Sequence, residues 1–154
     1  MQNSFCNQKF PLYFSGEVVH GYGRGSTQLG YPTANIDTVS LKELKEVPKG
    51  VYFGYCRLNE QGEKGDVEPM VMSLGENRMF GNTETTAEVH VLRQYDHNFY
   101  GAHLQVSVIG YIRKMQMFRS VDELIEAIGN DIRVARAELE KPELSAFRED
   151  PYFK

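Results

Sequence analysis

The chain is poor in the residues and patterns that mark several large classes of protein. It has two cysteines, Cys6 and Cys56. They stand far apart and fit no CxxC or zinc-ligand spacing, which excludes a disulfide framework or a structural zinc site and points to a reducing compartment. No apolar run is long enough to cross a bilayer, and the polar N-terminus lacks a signal-peptide core. The expectation is a soluble, cytoplasmic protein with no membrane partner. No lysine- or arginine-rich tract stands out, and a net charge of -4 with a pI near 5.6 offers nucleic acid no basic field. Internal repeats and low-complexity segments are absent, and 154 residues suit one domain with a modest core.

What is present is a succession of short apolar, β-branched and aromatic runs. Residues 13–20, 51–57, 69–74, 86–93 and 104–113 read as strands, separated by the polar stretches 59–66, 75–85 and 95–101. Such spacing implies an antiparallel sheet or barrel. In the last run Leu104, Val106, Val108 and Ile112 alternate with Gln105, Ser107 and Tyr111, and Ile109 and Gly110 interrupt the alternation. The charged segment 59–66 reads as an exposed hairpin tip. Ser40 and Glu43 form a capping-box pattern, with Leu41 and Leu44 as apolar positions of a short helix ending at Pro48. A second capping box, Ser120 with Glu123, opens a long amphipathic helix whose stripe is Val121, Leu124, Ile125, Ile128, Ile132, Ala135 and Leu139. The tail 141–154 is expected to pack loosely on the barrel.

Chemistry concentrates in two places. Gly21, Gly23, Gly25 and Gly30 can turn sharply and bring bare N–H groups to an anion, and Pro32 stiffens the chain before Thr33 and Asn35, whose side chains suit an oxygen-liking cation or a phosphate. The spacing matches neither a dinucleotide fingerprint nor a lysine-bearing phosphate loop, so plain turns between strands remain an open reading. Further on, Glu88, His90 and Leu92 fall on one face of a strand, with Ala87, Val89 and Val91 on the other. Glu88 can take a proton from an alcohol or hold a metal, or it can be an ordinary surface carboxylate. A transition-metal site built on Glu88 and His90 lacks further ligands, because His20, His97 and His103 show no suitable spacing. Arg113 closes a strand and can meet an anion or a ring, though such arginines are usually solvated, while Tyr100 and Phe118 are more often core residues. Taken together these are the parts of a small-molecule phosphotransferase on a β-barrel. A nucleotide-binding barrel without catalysis and a structural β-module stay open beside it.

Several motifs narrow this further: Gly21-x-Gly-Arg-Gly-Ser26, Leu29-Gly-x-Pro-Thr-Ala-Asn35, Gly50-Val-Tyr, Ser73-x-Gly75, Glu88-x-His90, Phe99-Tyr-Gly101 and Gly110-Tyr-x-Arg113. In this order and spacing the chain resembles the riboflavin kinase family, from about residue 13 to residue 139. The resemblance implies a six-stranded antiparallel Greek-key β-barrel with a long C-terminal helix packed at one side, and so one further short strand near residues 34–37. It implies a single riboflavin kinase domain over 1–154, with an arm at 1–12, the barrel at 13–113, the helix at 120–140 and the tail at 141–154. It also implies a monofunctional enzyme acting as a monomer on small molecules, with ATP as co-substrate, riboflavin as acceptor, and FMN and ADP as products. By match to the motifs, Gly21, Gly23, Gly25, Ser26 and Thr27 would line the nucleotide phosphates, with Arg93 and Tyr100 near the nucleotide. Thr33 and Asn35 would hold Mg²⁺ or another divalent cation, Glu88 would be the catalytic base, and Arg113, Phe118 and Ser120 would contact the flavin.

Overall fold

Strict alternation of inward and outward side chains builds the sheet. The computed structural model describes residues 8–19, 27–28, 31–37, 39–79, 82–95, 97 and 99–154. Its strands are β1 (Leu12–Val19), β2 (Thr27–Gln28), β3 (Tyr31–Ile36), β4 (Gly50–Glu60), β5 (Glu63–Met79), β6 (Asn82–Val91) and β7 (His103–Arg113). All pair antiparallel in the order β1-β7-β4-β5-β6-β3-β2, and a further β1–β3 pairing closes six of them into a barrel, with the two-residue β2 extending β3. Closure removes the exposed edges that an open sheet would present.

The interior is filled by one parity of each strand. Ala34 and Ile36 of β3, Met70, Met72 and Leu74 of β5, Ala87, Val89 and Val91 of β6, and Leu104, Val106 and Val108 of β7 form a single buried cluster. The opposite parity of β4, β5 and β7 carries a second apolar patch, Val51, Phe53, Tyr55, Val71 and Ile109. Over it lies α1 (Val121–Leu139), which presents Ile128, Ile132, Ala135 and Leu139 to the sheet. Ile128, Ile132 and Leu139, taken out of water, each contribute about 1.5–3 kcal/mol before the entropy of ordering is counted. Among the described residues no helix is long and apolar enough to cross a membrane.

The interruption at Ile109 and Gly110 is a β-bulge. Phe53 pairs with Gly110 and Gly54 with Val108, so Ile109 is the extra residue and turns outward beneath α1. A Cβ on Gly110 would sit 2.3 Å from the Phe53 ring, which is why only glycine fits there. The strand implied near residues 34–37 is β3, starting at Tyr31.

Several expectations are corrected. The segment 75–85 is not a break: β5 runs on to Met79 and β6 begins at Asn82, paired residue for residue from Gly75 with Thr86 to Met79 with Asn82. The tip of 59–66 shrinks to a two-residue turn, Gln61-Gly62, with both φ angles positive (49° and 83°), the geometry that favours glycine. The short helix is a 3₁₀ segment, Val39–Leu44, capped one turn earlier than expected: the Ser40 N–H donates to Asp37 Oδ1 at 3.1 Å. Val121 is 69 % exposed, so the buried stripe of α1 starts at Leu124.

The tail is docked, not loose. After α2 (Pro142–Ser145) the chain folds back, Phe153 is 1 % exposed, Tyr152 Oη donates to the Phe14 carbonyl at 2.6 Å, and Gln105 Nε2 donates to the Tyr152 carbonyl at 3.2 Å. Arg57 donates to the Phe153 carbonyl and Arg148 Nη1 to that of Val67 at 2.7 Å. Aromatic burial and carbonyl capture by two arginines together explain the tight seat.

Candidate active site

The site lies on the outer wall of the barrel, beside the patch that α1 covers. In β6 the inward residues are Ala87, Val89 and Val91, so Glu88 and His90 face out, and Leu92, just past the strand end, continues that face, as the alternation predicts. Leu92 joins the apolar cluster under α1, His90 is 5 % exposed, and Glu88 is half-buried. The strand thus passes from covered to open within five residues.

Register assembles the neighbours. Asn35 of β3 pairs with Glu88, and Glu88 with Ser73 of β5; Ser73 pairs with Val51 of β4, and Val51 with Arg113 of β7. Directly paired residues project to the same side, so one row across the outer wall reads Asn35, Glu88, Ser73, Val51, Arg113. From Glu88 to Arg113 are three strand spacings, about 14 Å along the sheet. One step along the strands, Thr33 pairs with His90, and His90 with Val71.

The polar atoms here are largely dry and unpaired. Thr33 is 8 % exposed. Thr33 Oγ1, Asn35 Nδ2 and His90 Nε2 are buried and have no hydrogen-bond partner among the described residues. Buried polar groups are nearly always satisfied, and an orphan costs about 1–3 kcal/mol, so three on adjacent positions mark a place where a ligand completes the bonding. Burial pushes the His90 pKa down to about 4, so its imidazole is neutral at physiological pH. Among the described residues no group of three or more His, Cys, Asp or Glu is placed to hold a metal ion.

At the far end of the row the Arg113 guanidinium is fixed from two sides. Its Nε and Nη2 donate to the two carboxylate oxygens of Asp131, each at 2.8 Å, and it lies 5.6 Å from the Phe118 ring centroid. The Asp131 side chain is 3 % exposed and that of Arg113 22 %. The usual expectation of a solvated arginine at a strand end is therefore overturned. Ser120 caps α1: the Glu123 N–H donates to its Oγ at 3.1 Å, and the Glu123 carboxylate in turn accepts from the Arg119 N–H at 3.2 Å. A cleft of 390 Å³ opens here, lined by Arg113, Gln116, Met117, Phe118, Glu123 and Asn130 among others. The connecting segment 114–120 leans back over the row, with Met115 Sδ 3.5 Å from Ser73 Oγ.

The remaining candidates are distributed unevenly. Gly21, Gly23, Gly25 and Ser26 lie outside the described residues, and of Thr27 only the backbone is described, paired with Pro32. Tyr100 is in a turn stitched to β1, where the Gly101 N–H donates to the Val18 carbonyl at 2.8 Å, so it sits beside the point from which the glycine segment departs. It is 38 % exposed, not core. Arg93 stands apart: beyond the end of β6, it contacts Asp66 at 3.2 Å and Glu68 at 2.8 Å and lies over Tyr95. Sequence reasoning missed Asp131. Its signal was a carboxylate set into the apolar stripe between Ile128 and Ile132, which calls for a buried cation.

The Flavokinase family model, described as riboflavin kinase, matches residues 8–139. The chain is 39 % identical over 145 residues to the riboflavin kinase of Homo sapiens, covering 94 % of this chain and 91 % of that one. It is 43 % identical over 143 residues to a bifunctional riboflavin kinase/FMN phosphatase of Arabidopsis thaliana, covering 92 % of this chain and 37 % of that protein. The crystal structure of riboflavin kinase from Trypanosoma brucei superposes with a TM-score of 0.76 at 30 % identity, over 98 % of this chain and 91 % of the other. With the barrel, its flanking helix and these matches in agreement over nearly all its length, the chain is a kinase and belongs to the riboflavin kinase family.

Proposed function

We propose that this protein transfers the γ-phosphoryl group of ATP to the terminal ribityl hydroxyl of riboflavin, giving FMN and ADP, with Glu88 as the base. The observation that carries the reading is the register row: a half-buried carboxylate flanked on one side by orphaned oxygen and amide groups and ending, on the other, at a fixed guanidinium and an aromatic ring. Its length is comparable to a ribityl chain plus a flavin ring system. The hydroxyl would then lie at Glu88 while the ring reaches Arg113 and Phe118, with Ser120 holding the start of α1 beneath them.

Mg²⁺ suits the other side of Glu88. It demands oxygen ligands, keeps several waters and binds through few protein groups plus phosphate oxygens, and so needs no carboxylate cage. Thr33 Oγ1 is a buried oxygen without a partner, and Asn35 presents its amide there. Because Asn35 Nδ2 makes no bond among the described residues, turning the amide over to bring its oxygen into the site breaks no bond of that nitrogen. Thr33 and Asn35 would hold the cation. When bound, it would neutralise charge on the β- and γ-phosphates.

In the transfer, the hydroxyl oxygen bonds to the γ-phosphorus, the bond to ADP breaks, and the hydroxyl proton passes to a Glu88 carboxylate oxygen. In a loose transition state that proton leaves late, so an ordinary carboxylate serves, and such catalysis contributes roughly 10²–10⁴-fold. Gly21, Gly23, Gly25, Ser26 and Thr27 are the proposed phosphate-side backbone and Tyr100 the proposed nucleotide neighbour. Arg93 fits that role least well, with its guanidinium held by Asp66 and Glu68. The test is direct: purified protein incubated with riboflavin, ATP and Mg²⁺ should yield FMN and ADP in equal amounts. Flavin and nucleotide binding without product would reject phosphoryl transfer.

A further inference from the structure

Thr33 and His90 face each other across the β3–β6 ladder, and each is more than nine-tenths buried. Thr33 Oγ1 and His90 Nε2 are both unpartnered among the described residues. On this face the flanking groups are Val71 from β5, Glu88 from β6, Leu92 just past the end of β6, and Asn35 from β3. The imidazole is thus buried between the apolar Val71 and Leu92 and the polar Thr33, Asn35 and Glu88, with its Nε2 left free to accept.

A threonine hydroxyl has one proton and two lone pairs. As a cation ligand it must aim a lone pair at the metal and its proton elsewhere, and an acceptor behind it fixes that orientation. Groups that orient metal ligands in this manner typically matter by 10–100-fold in metal affinity. A neutral imidazole is well suited, because it accepts a proton without adding negative charge beside the phosphates. Directly paired residues have Cβ atoms about 5 Å apart, so a side-chain rotation brings Oγ1 and Nε2 into bonding range.

We propose that His90 is a positioning residue for the metal–nucleotide site, its Nε2 accepting the Thr33 hydroxyl proton and thereby turning Oγ1 toward the divalent cation. This rests on the reading of Thr33 as a cation ligand given above. The assignment concerns a hydrogen bond only, and no covalent step passes through His90.

The experiment measures ADP binding calorimetrically, without turnover, in excess Mg²⁺ and again in EDTA. His90→Phe keeps the ring volume and removes the acceptor; His90→Gln restores an acceptor. His90→Met stands in as an acceptor-free variant if the Phe variant does not fold, as judged by thermal unfolding. The expected result is that the acceptor-free variant binds ADP at least about tenfold more weakly in Mg²⁺, equals wild type in EDTA, and raises the Mg²⁺ concentration needed for half-maximal turnover, with Gln recovering most of the loss. Equal binding in Mg²⁺ would overturn the proposal, and so would equal weakening in both buffers, which assigns His90 to packing or to direct phosphate contact. Thr33→Val separates the two levels of inference. If that variant leaves the Mg²⁺ requirement unchanged, the cation reading of Thr33 fails; if it raises the requirement and the His90 variants do not, only the His90 proposal fails.

Discussion

Acidification should unfold this protein earlier than carboxylate protonation alone predicts, and the cause can be isolated at His90. Its pKa is pushed down to about 4 by burial among Val71, Leu92 and Thr33, while in the unfolded chain it returns to about 6.5. Above pH 6.5 the imidazole is neutral in both states and contributes nothing. As the pH falls below 6.5 the unfolded chain binds a proton that the folded state refuses, so stability is lost, by about 2 kcal/mol at pH 5 and about 3 kcal/mol at pH 4. Below pH 4 the folded state also takes the proton and the loss levels off. The assay is urea unfolding of the metal- and nucleotide-free protein and of His90→Gln at pH 7.5, 6, 5 and 4.5. Carboxylates common to both cancel in the difference. Whatever the variant's offset at pH 7.5, the difference should move in its favour by about 2 kcal/mol on going to pH 5. A difference that stays constant across that window would falsify the placement of a neutral, desolvated imidazole at this position.

Four further outcomes follow from the same geometry. Glu88→Gln should keep the thermal midpoint and riboflavin binding but lose at least about two decades of kcat in a steady-state assay; near-normal turnover would remove Glu88 from the base role. Arg113→Met strands the buried Asp131 carboxylate, so urea unfolding should show a loss of about 3 kcal/mol, most of it recovered in Arg113→Met/Asp131→Leu, with riboflavin affinity lost in both. Phe153→Ala empties a fully buried aromatic site in the docked tail and should cost about 3 kcal/mol, whereas a loose tail would show no change. Ser120→Ala removes the cap of α1 and should cost about 1 kcal/mol by the same measurement.

The parts of the fold that could be read in advance are those where a side-chain period and a burial face coincide. The alternation of Leu104, Val106 and Val108 located β7, and even its flaw at Ile109 and Gly110 was visible, since a bulge is an extra residue in a period of two. β3 left almost no trace because, among its described side chains, only Ala34 and Ile36 point inward, and a strand that spends its outer face on Thr33 and Asn35 has no apolar run to show. The ribbon that pairs Gly75–Met79 with Asn82–Thr86 looked like a loop because its side chains are mostly polar, yet backbone pairing satisfied the ladder regardless of them. In the site, Glu88 was legible as the polar member of an alternating strand. The Arg113–Asp131 pair was not, because its halves lie in different elements and nothing local couples them.

The placement of the candidate site on the outer wall is tied to the way α1 covers the barrel. Among the described residues the barrel interior is packed with apolar side chains, and the candidate groups sit on the outward parity of the strands. That parity is normally wet, which would weaken every electrostatic contact made to a phosphate. Here α1 dries one side of it: Val71 and Leu92 belong to the cluster under the helix, and next to them His90 and Thr33 are buried although no helix residue was needed to name them. One step further along β6, Glu88 is half-open. The same five residues of one strand therefore run from a dry, neutral setting suited to holding ligand groups still to an accessible one suited to receiving a proton from a substrate that must enter and leave. Shifting the register of β6 by a single residue would send Glu88 and His90 into the core and Val89 out to the substrate. Closure of the barrel through β1, β3 and β6, which pins that register, is accordingly as much a condition for the proposed reaction as the carboxylate itself.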